Sequence, residues 1–156
     1  FTSQGIPFIY AGEEVMRDKK GVHNSYQSPD SINAIDWKRK AEYADVFAYY
    51  KGLIQLRKNH PAFRMGDAEL VRKHLEFLPV EGNNLVAYRL KENANRDVWE
   101  NIIVALNSRK EPAKLVVPEG KYTVVCKDGF INENGLGTLY GSEVMIPAQS
   151  ALIIYK

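Results

Sequence analysis

The sequence predicts an α+β chain: one short strand, a long polar loop and one helix, followed by an all-β C-terminal antiparallel β-sandwich. Three patterns carry that expectation. An apolar run, Pro7 to Tyr10, lies between Gly5 and Gly12. Apolar residues then recur with helical spacing from about Lys40 to Lys58, and from about Arg64 the period drops from 3.6 to 2. A chain of 156 residues buries roughly 68–70 % of its unfolded surface when it folds as one domain. It is also long enough for a piece of one domain plus a small second one. Hydrophobic residues make up 45 % and charged residues 26 %, which supports a packed core and argues against disorder.

Taken in order, the elements have these reasons. Pro7 to Tyr10 reads as a buried-type strand that exits at two adjacent acids, Glu13 and Glu14. The loop after it, residues 15–36, exceeds the roughly 12–15 residues beyond which structureless connections are usually functional. It mixes turn formers, Gly21 and Pro29, with hydrogen-bonding side chains such as Asn24, Ser25, Tyr26, Gln27, Asp30 and Asn33, a composition that suits binding. In the helix, Tyr43, Val46, Phe47, Tyr50, Leu53, Ile54 and Arg57 form a stripe at i, i+3, i+4 and i+7. That stripe is expected to be core. Asp36 suits its N-terminal end, and Arg57 and Lys58 suit its C-terminal end before Asn59, His60 and Pro61 stop it. Gly52 costs about 1 kcal/mol relative to alanine inside a helix, so a close packing contact is expected there.

A short helical turn is expected near Asp67 to Lys73, followed by seven or eight strands. "LEFLP", "LVAYRL", "NIIVALN", "AKLVV", "KYTVVC", "TLYG", "EVMIP" and "ALIIY" are separated by "EGNN", "ENANRD", "NSRKEP", "PEG" and "NENGLG". Gly135 to Gly137 has no helix after it, so it reads as a hairpin and not a phosphate cradle.

Charge and residue chemistry narrow the function. Twenty-one basic and nineteen acidic residues give a net charge of +2, scattered in both signs. No field is built for nucleic acid or a membrane, and neutral partners are expected. No apolar run reaches the roughly 18 residues of a spanning helix. The single cysteine, Cys126, allows no intrachain disulfide, which leaves the compartment open. Cys126 alternates with Tyr122 and Val124, so the expectation is buried core on their face, not a nucleophile served by His23, His60 or His74. Those histidines lack ligand spacing, and no metal or cofactor is called for. Paired carboxylates serve glycoside hydrolysis when they flank the scissile bond. Glu13 and Glu14 are neighbours in an extended stretch and point to opposite sides, so at most one faces any site.

Three segments carry a family resemblance. "QGIPFIYAGEE", with the spacing Gly5-x-Pro7-x-x-Tyr10-x-Gly12-x-Glu14, then "NSYQSPDSINAIDW", then "DVFAYYKGLIQLRKNHPAFR" together resemble the end of the catalytic barrel of the alpha-amylase superfamily, glycoside hydrolase family 13. The "NSY-x-SPD" wording points to its type I pullulanases. "AELVRKHLEFLP" through "AQSALIIYK" is similar to the β-sandwich that closes such enzymes. The resemblance covers essentially all of the chain and implies the last strand and helix of a (β/α)8 barrel followed by the sandwich. The implied division is residues 1–64 for the barrel end and 65–156 for the sandwich.

The resemblance also implies absences. The family's nucleophilic aspartate, acid/base glutamate and transition-state aspartate lie on barrel strands four, five and seven, upstream of Phe1. No position here inherits a catalytic role, and His23-Asn24 does not replace the family's Asn-His-Asp run. The start "FTSQG" reads as cut from something longer, with Phe1 and Thr2 as a frayed end. In such barrels the loop after the last strand faces substrate, so Arg17, Asn24, Tyr26 and Asp30 are the expected substrate-binding residues. About half of them are expected to fold the loop on itself through Asx turns. The implied partner is an alpha-glucan such as pullulan, starch or glycogen-derived dextrin, with alpha-1,6 bonds cleaved with retention in the intact enzyme. The alternative is a free-standing sandwich that binds carbohydrate through outward aromatics, for which Tyr140, Phe130 and Trp99 are the candidates, or one with a structural role alone. A chain holding only one strand of a barrel is expected either to pack the helix on its own sandwich and leave part of residues 1–36 extended, or to self-associate through the strand and the helix stripe.

Overall fold

A computed structural model describes all 156 residues. The period-2 stretches form one antiparallel sheet of seven strands: β1 (Leu75–Phe77), β2 (Leu85–Leu90), β3 (Ile102–Asn107), β4 (Ala113–Lys127), β5 (Phe130–Ile131), β6 (Gly137–Ile146) and β7 (Ser150–Tyr155). Their spatial order is β1-β2-β3-β7-β4-β5, with β6 also on β4. The central strand β3 pairs in full register with β2 on one side, Ala87 facing Ala105, and with β7 on the other, Ala105 facing Leu152. β4 was expected as two strands split by a turn at "PEG". It runs through as one, because the extra residues are absorbed as a register shift between Val116 and Gly120 opposite β6. "TLYG" and "EVMIP" likewise join into the single strand β6.

The bulge bends β4 sharply, and the sheet folds over on itself around one apolar core. Leu85 and Ala87 of β2, Ile103 and Ala105 of β3, Leu115, Tyr122 and Val124 of β4, Val144 and Ile146 of β6, and Leu152 and Ile154 of β7 pack there. This is the all-β, sandwich-like domain expected for the C-terminal part of the chain. Cys126 is fully buried, as expected, but not on the face of Tyr122 and Val124. A second register shift between Val124 and Cys126 sets Val124 opposite Ile154 and Cys126 opposite Ile153, so the thiol turns to the other side of the sheet.

That other side is buried too, which is why β3 reads as a continuous apolar run rather than an alternation: Ile102, Ile103, Val104 and Ala105 are all inaccessible. The chain divides into two compact units, Phe1–Ile6 with Gly52–Lys156, and Pro7–Lys51. In the first, the C-terminal turns of helix α3 (Ala44–Asn59) come onto this second face. Gly52 is required there, because a Cβ would stand 2.3 Å from Ile131 Cγ2. Phe1 and Thr2 are half-buried and not frayed. The Arg57 guanidinium donates to the carbonyls of Phe1 (2.7 Å), Ser3 (2.6 Å) and Gly5 (2.7 Å). Gln4 bonds Ala62 O and Met65 N, each at 2.9 Å. Burial pushes the Tyr88 phenol up to about 12, so it stays protonated and donates to Thr2 O at 2.7 Å.

One buried anion organises the exit of α3. Asp97, 3 % exposed, accepts from His60 Nδ1 (2.9 Å), Ala62 N (3.1 Å) and Trp99 N (3.0 Å). His60 stacks on Trp99 with ring centroids 3.5 Å apart, and Trp99 stacks on Tyr155 at 3.8 Å. Trp99, expected to point outward, is therefore buried at 9 % exposure, while Phe130 and Tyr140 are exposed as expected. Its backbone N–H is held by Asp97, which turns the indole inward. After this exit, helix α4 (Ala68–His74) starts at an N-cap, Asp67, that accepts from Glu69 N and Leu70 N.

The second unit departs further from expectation. Pro7 to Tyr10 forms no strand, and Ile6 and Phe8 are 96 % and 99 % exposed. A strand needs a neighbour's ladder, and the strands from Leu75 to Tyr155 pair only with one another. Short helices α1 (Asp30–Asn33) and α2 (Arg39–Glu42) precede α3, and Tyr43, with φ −113° and ψ 46°, breaks α2 from α3. The expected stripe is only half-buried, and the one fully buried residue of α3 is Leu56, outside that stripe. Polar side chains meet the stripe in this unit: Lys40 Nζ lies over the Phe47 ring at 4.3 Å, and Glu13 accepts from the Tyr50 hydroxyl at 3.5 Å.

The Asp97 cluster sets a pH dependence. Burial raises the pKa of this carboxyl, but hydrogen bonds from His60, Trp99 N and Ala62 N outweigh it and hold it below the ordinary aspartate value. A carboxyl lowered on folding adds stability above its unfolded pKa of about 3.9, and that stability is lost as pH falls through the folded value. Asp97→Ala, which strands three buried donors, is expected to cost about 3 kcal/mol at neutral pH, read as a lower urea midpoint. The variant's midpoint should also fall less steeply than the wild type's below about pH 4. An unchanged midpoint would contradict this role.

Candidate functional site

The long loop was the expected binding element, and its construction explains which side chains are left for a ligand. It has no ladder to satisfy its backbone, so cationic side chains do so. Arg17 donates to Ala11 O at 3.1 Å and to Asn33 O. Arg39 donates to Val15 O at 3.2 Å and Met16 O at 2.5 Å. Asn33 is the hinge pin of the loop: its amide nitrogen donates to Ser25 O (2.8 Å) and Ser28 O (2.7 Å), and its amide oxygen accepts from Lys19 Nζ (2.6 Å). Lys19 also reaches Ser25 Oγ at 3.1 Å. The sequence named Asn33 for its hydrogen-bonding capacity, and the loop itself takes up that capacity.

The acids are likewise turned to local work. Glu14 accepts from Gly12 N at 3.0 Å, Asp18 from Lys20 N at 2.7 Å and Asp36 from Lys38 N at 3.0 Å. Each is a carboxylate closing a turn two residues away from itself. Gly12 has φ +99°, and a Cβ on it would lie 2.8 Å from Arg17 Cβ. The Gly-x-Glu spacing therefore builds a tight turn that seats Arg17 against the backbone and under Tyr10, whose ring centroid is 5.1 Å from the guanidinium carbon.

Of the four expected ligand residues, two come together. Arg17 and Asp30 line a hollow of about 330 Å³, with Asp18, Asp36, Lys20 and Arg39 around it. Asn24 and Tyr26 are exposed, Tyr26 at 77 %, and lie outside that lining. Arg39 was missed because it belongs to the start of a helix and nothing in its spacing separates it from a solvated cation. The N–H groups that Arg17 and Arg39 have left after these backbone bonds, together with the carboxylates of the same lining, suit the adjacent hydroxyls of a neutral polyol, which need donors and acceptors side by side. No group of three His, Cys, Asp or Glu side chains is placed to hold a metal ion, and no helix is long and apolar enough to cross a membrane.

The buried His60–Asp97 pair has the look of a base and its orienting acid, with Glu133 Oε1 3.3 Å from His60 Nε2. The ring is sandwiched against Trp99 and 3 % exposed, and no nucleophilic hydroxyl or thiol bonds to it. It is a packing device.

Comparison with known proteins adds a lineage. The model of the pullulanase all-beta domain matches residues 71–129. Pullulanase of Bacillus subtilis (strain 168) is 38 % identical over 149 residues, taking in 88 % of this chain and 21 % of the relative. Pullulanase from Bacillus acidopullulyticus superposes with a TM-score of 0.94 at 46 % identity, over 99 % of this chain and 19 % of its own. A Paenibacillus barengoltzii pullulanase, solved in complex with maltohexaose and alpha-cyclodextrin, superposes with a TM-score of 0.86 at 37 % identity, over 99 % of this chain and 23 % of its own. The chain thus spans about a fifth of the length of these relatives. The chain aligns along nearly its whole length, in sequence and in fold, with one part of pullulanases, and residues 71–129 match their all-beta domain.

Proposed function

We propose that this chain is the C-terminal part of a starch- and pullulan-debranching glycoside hydrolase that cleaves alpha-1,6 bonds with retention. Residues 1–64 are the end of its barrel and 65–156 its closing β-domain. The observation that carries this reading is the 38 % identity to a pullulanase along 88 % of the chain. The chain's own share of the work is a substrate-facing loop and a structural domain. Arg17 and Asp30 contact glucan from the hollow, and Asn24 and Tyr26 from exposed positions of the same loop. The alpha-glucans named with the Paenibacillus relative support that substrate class.

The catalytic carboxylates are not supplied here. A retaining pair stands about 5–5.5 Å apart across an open sugar site, whereas Glu14, Asp18 and Asp36 each close their own turn. Purified chain incubated with pullulan is therefore expected to release no maltotriose, measured by chromatography of the supernatant. Release at enzymatic rates would overturn the assignment.

Ile6 and Phe8 stand in solvent, and burying one such side chain is worth about 1.5–3 kcal/mol. We infer that the isolated chain self-associates through this segment. Sedimentation velocity should show a weight-average coefficient that rises with concentration, and Phe8→Ser should flatten it. A wild-type chain that stays monomeric at all concentrations would contradict this.

A further inference from the structure

The loop between β2 and β3, "KENANRD", carries an unusual backbone. Glu92, Asn93, Asn95 and Arg96 have φ of 58°, 50°, 52° and 63°. Asparagine tolerates the left-handed region, but glutamate and arginine adopt it against a steric cost. Strain of this kind persists where surrounding contacts over-determine it, and it gathers at ligand sites. Here the contacts are on view. Asn93 N bonds Glu100 O at 3.0 Å and its amide nitrogen donates to Asp97 O at 3.0 Å, while the Asn95 amide nitrogen donates to Pro61 O at 2.9 Å.

The strained loop walls a hollow of about 400 Å³ whose other wall is helix α4. Leu70, His74, Asn93, Asn95 and Arg96 line it, and its size falls within the roughly 300–1,000 Å³ of small-molecule sites. His74 is 7 % exposed. Its Nδ1 lies 2.8 Å from Lys91 O, and a carbonyl only accepts, so Nδ1 carries the proton. Nε2 of the neutral ring is then an acceptor.

Counting what is left over identifies the ligand's chemistry. Both asparagine amide nitrogens donate to backbone carbonyls, Asn93 once and Asn95 twice, to Pro61 O and at 3.4 Å to Arg64 O, and both amides keep their oxygens. With His74 Nε2 this makes three acceptors, beside two donor groups, the Arg96 guanidinium and the second N–H of the Asn93 amide, and one apolar surface, Leu70. A fully ionised anion such as sulfate has only acceptors and would meet three of its own kind. A cation would meet Arg96. A neutral polyhydroxylated ring offers several O–H donors to the acceptors, an oxygen to the guanidinium and a C–H face to the leucine. We propose that this hollow on the β-domain is a subsite for a neutral oligosaccharide, separate from the loop at residues 15–36. The choice of a glucose polymer as the ligand rests on the debranching reading given above.

The test is a titration of the isotopically labelled chain with maltotriose, followed by amide chemical shifts. Expected are saturable shifts at Leu70, His74 and Asn93 to Arg96 with a dissociation constant in the millimolar range, as suits a shallow site. The double variant Asn93→Gly, Arg96→Gly keeps a residue that accepts positive φ at both positions and removes an acceptor and both donors. It should weaken binding at least about tenfold while the shifts of the β-sheet amides stay in place. If the double variant fails to fold, Arg96→Gly alone, at an exposed side chain, should still weaken binding. Absence of shifts at this cluster, shifts there with inorganic phosphate but not with maltotriose, or binding unaffected by the variants would each overturn the subsite. Shifts confined to residues 15–36 would support the loop reading and overturn this one. Shifts at this cluster without any at residues 15–36 would support the subsite and count against the loop.

Discussion

The fold of the β-domain turns on a buried carboxylate. Asp97 gathers the ring of His60, the N–H of Ala62 and the N–H of Trp99, so one anion fixes the end of a helix, the turn after it and the entry to β3. A lone buried charge is costly, and it is tolerated only when every lone pair is answered. The answer here is supplied from three separate segments. From that point the His60–Trp99–Tyr155 stack reaches the last strand, and Arg57, one helical turn before the exit, ties down residues 1–5. The second face of the sheet is therefore closed by polar geometry as much as by apolar area.

The other unit solves the opposite problem, a long backbone without a ladder. Arg17, Lys19, Arg39 and Asn33 satisfy the loop's carbonyls and hydrogen-bonding side chains, and the acids close its turns. The loop so held presents Arg17 and Asp30 on one hollow.

Much of the β-domain was legible because its signals are local. "LVAYRL" became β2 at its predicted ends, and the close contact expected of Gly52 is Ile131. What escaped depended on register. The bulges in β4 turned a predicted turn into a continuous strand and moved Cys126 to the opposite face, and no single-sequence pattern encodes an unpaired residue. Trp99 escaped because its burial is set by a carboxylate two residues away and a histidine thirty-nine residues earlier in the chain. Pro7 to Tyr10 has the composition of a strand, yet a strand is a property of pairs, and no neighbour pairs with it. In the candidate site, loop length and composition pointed to Arg17 and Asp30, whereas Arg39 carried no signal that set it apart from a surface cation.

The central claim is that residues 75–155, with the Asp97 exit, fold as a cooperative domain while Pro7–Tyr10 carries strand sequence without strand structure. Native-state hydrogen exchange reads both halves at once. At concentrations dilute enough to keep the chain monomeric, the amides of β3, β7 and the second half of β4 should exchange only through global unfolding, at a common free energy, and those of Phe8, Ile9 and Tyr10 at near-unprotected rates. Protection of Phe8 to Tyr10 comparable to that of β3 would contradict the account.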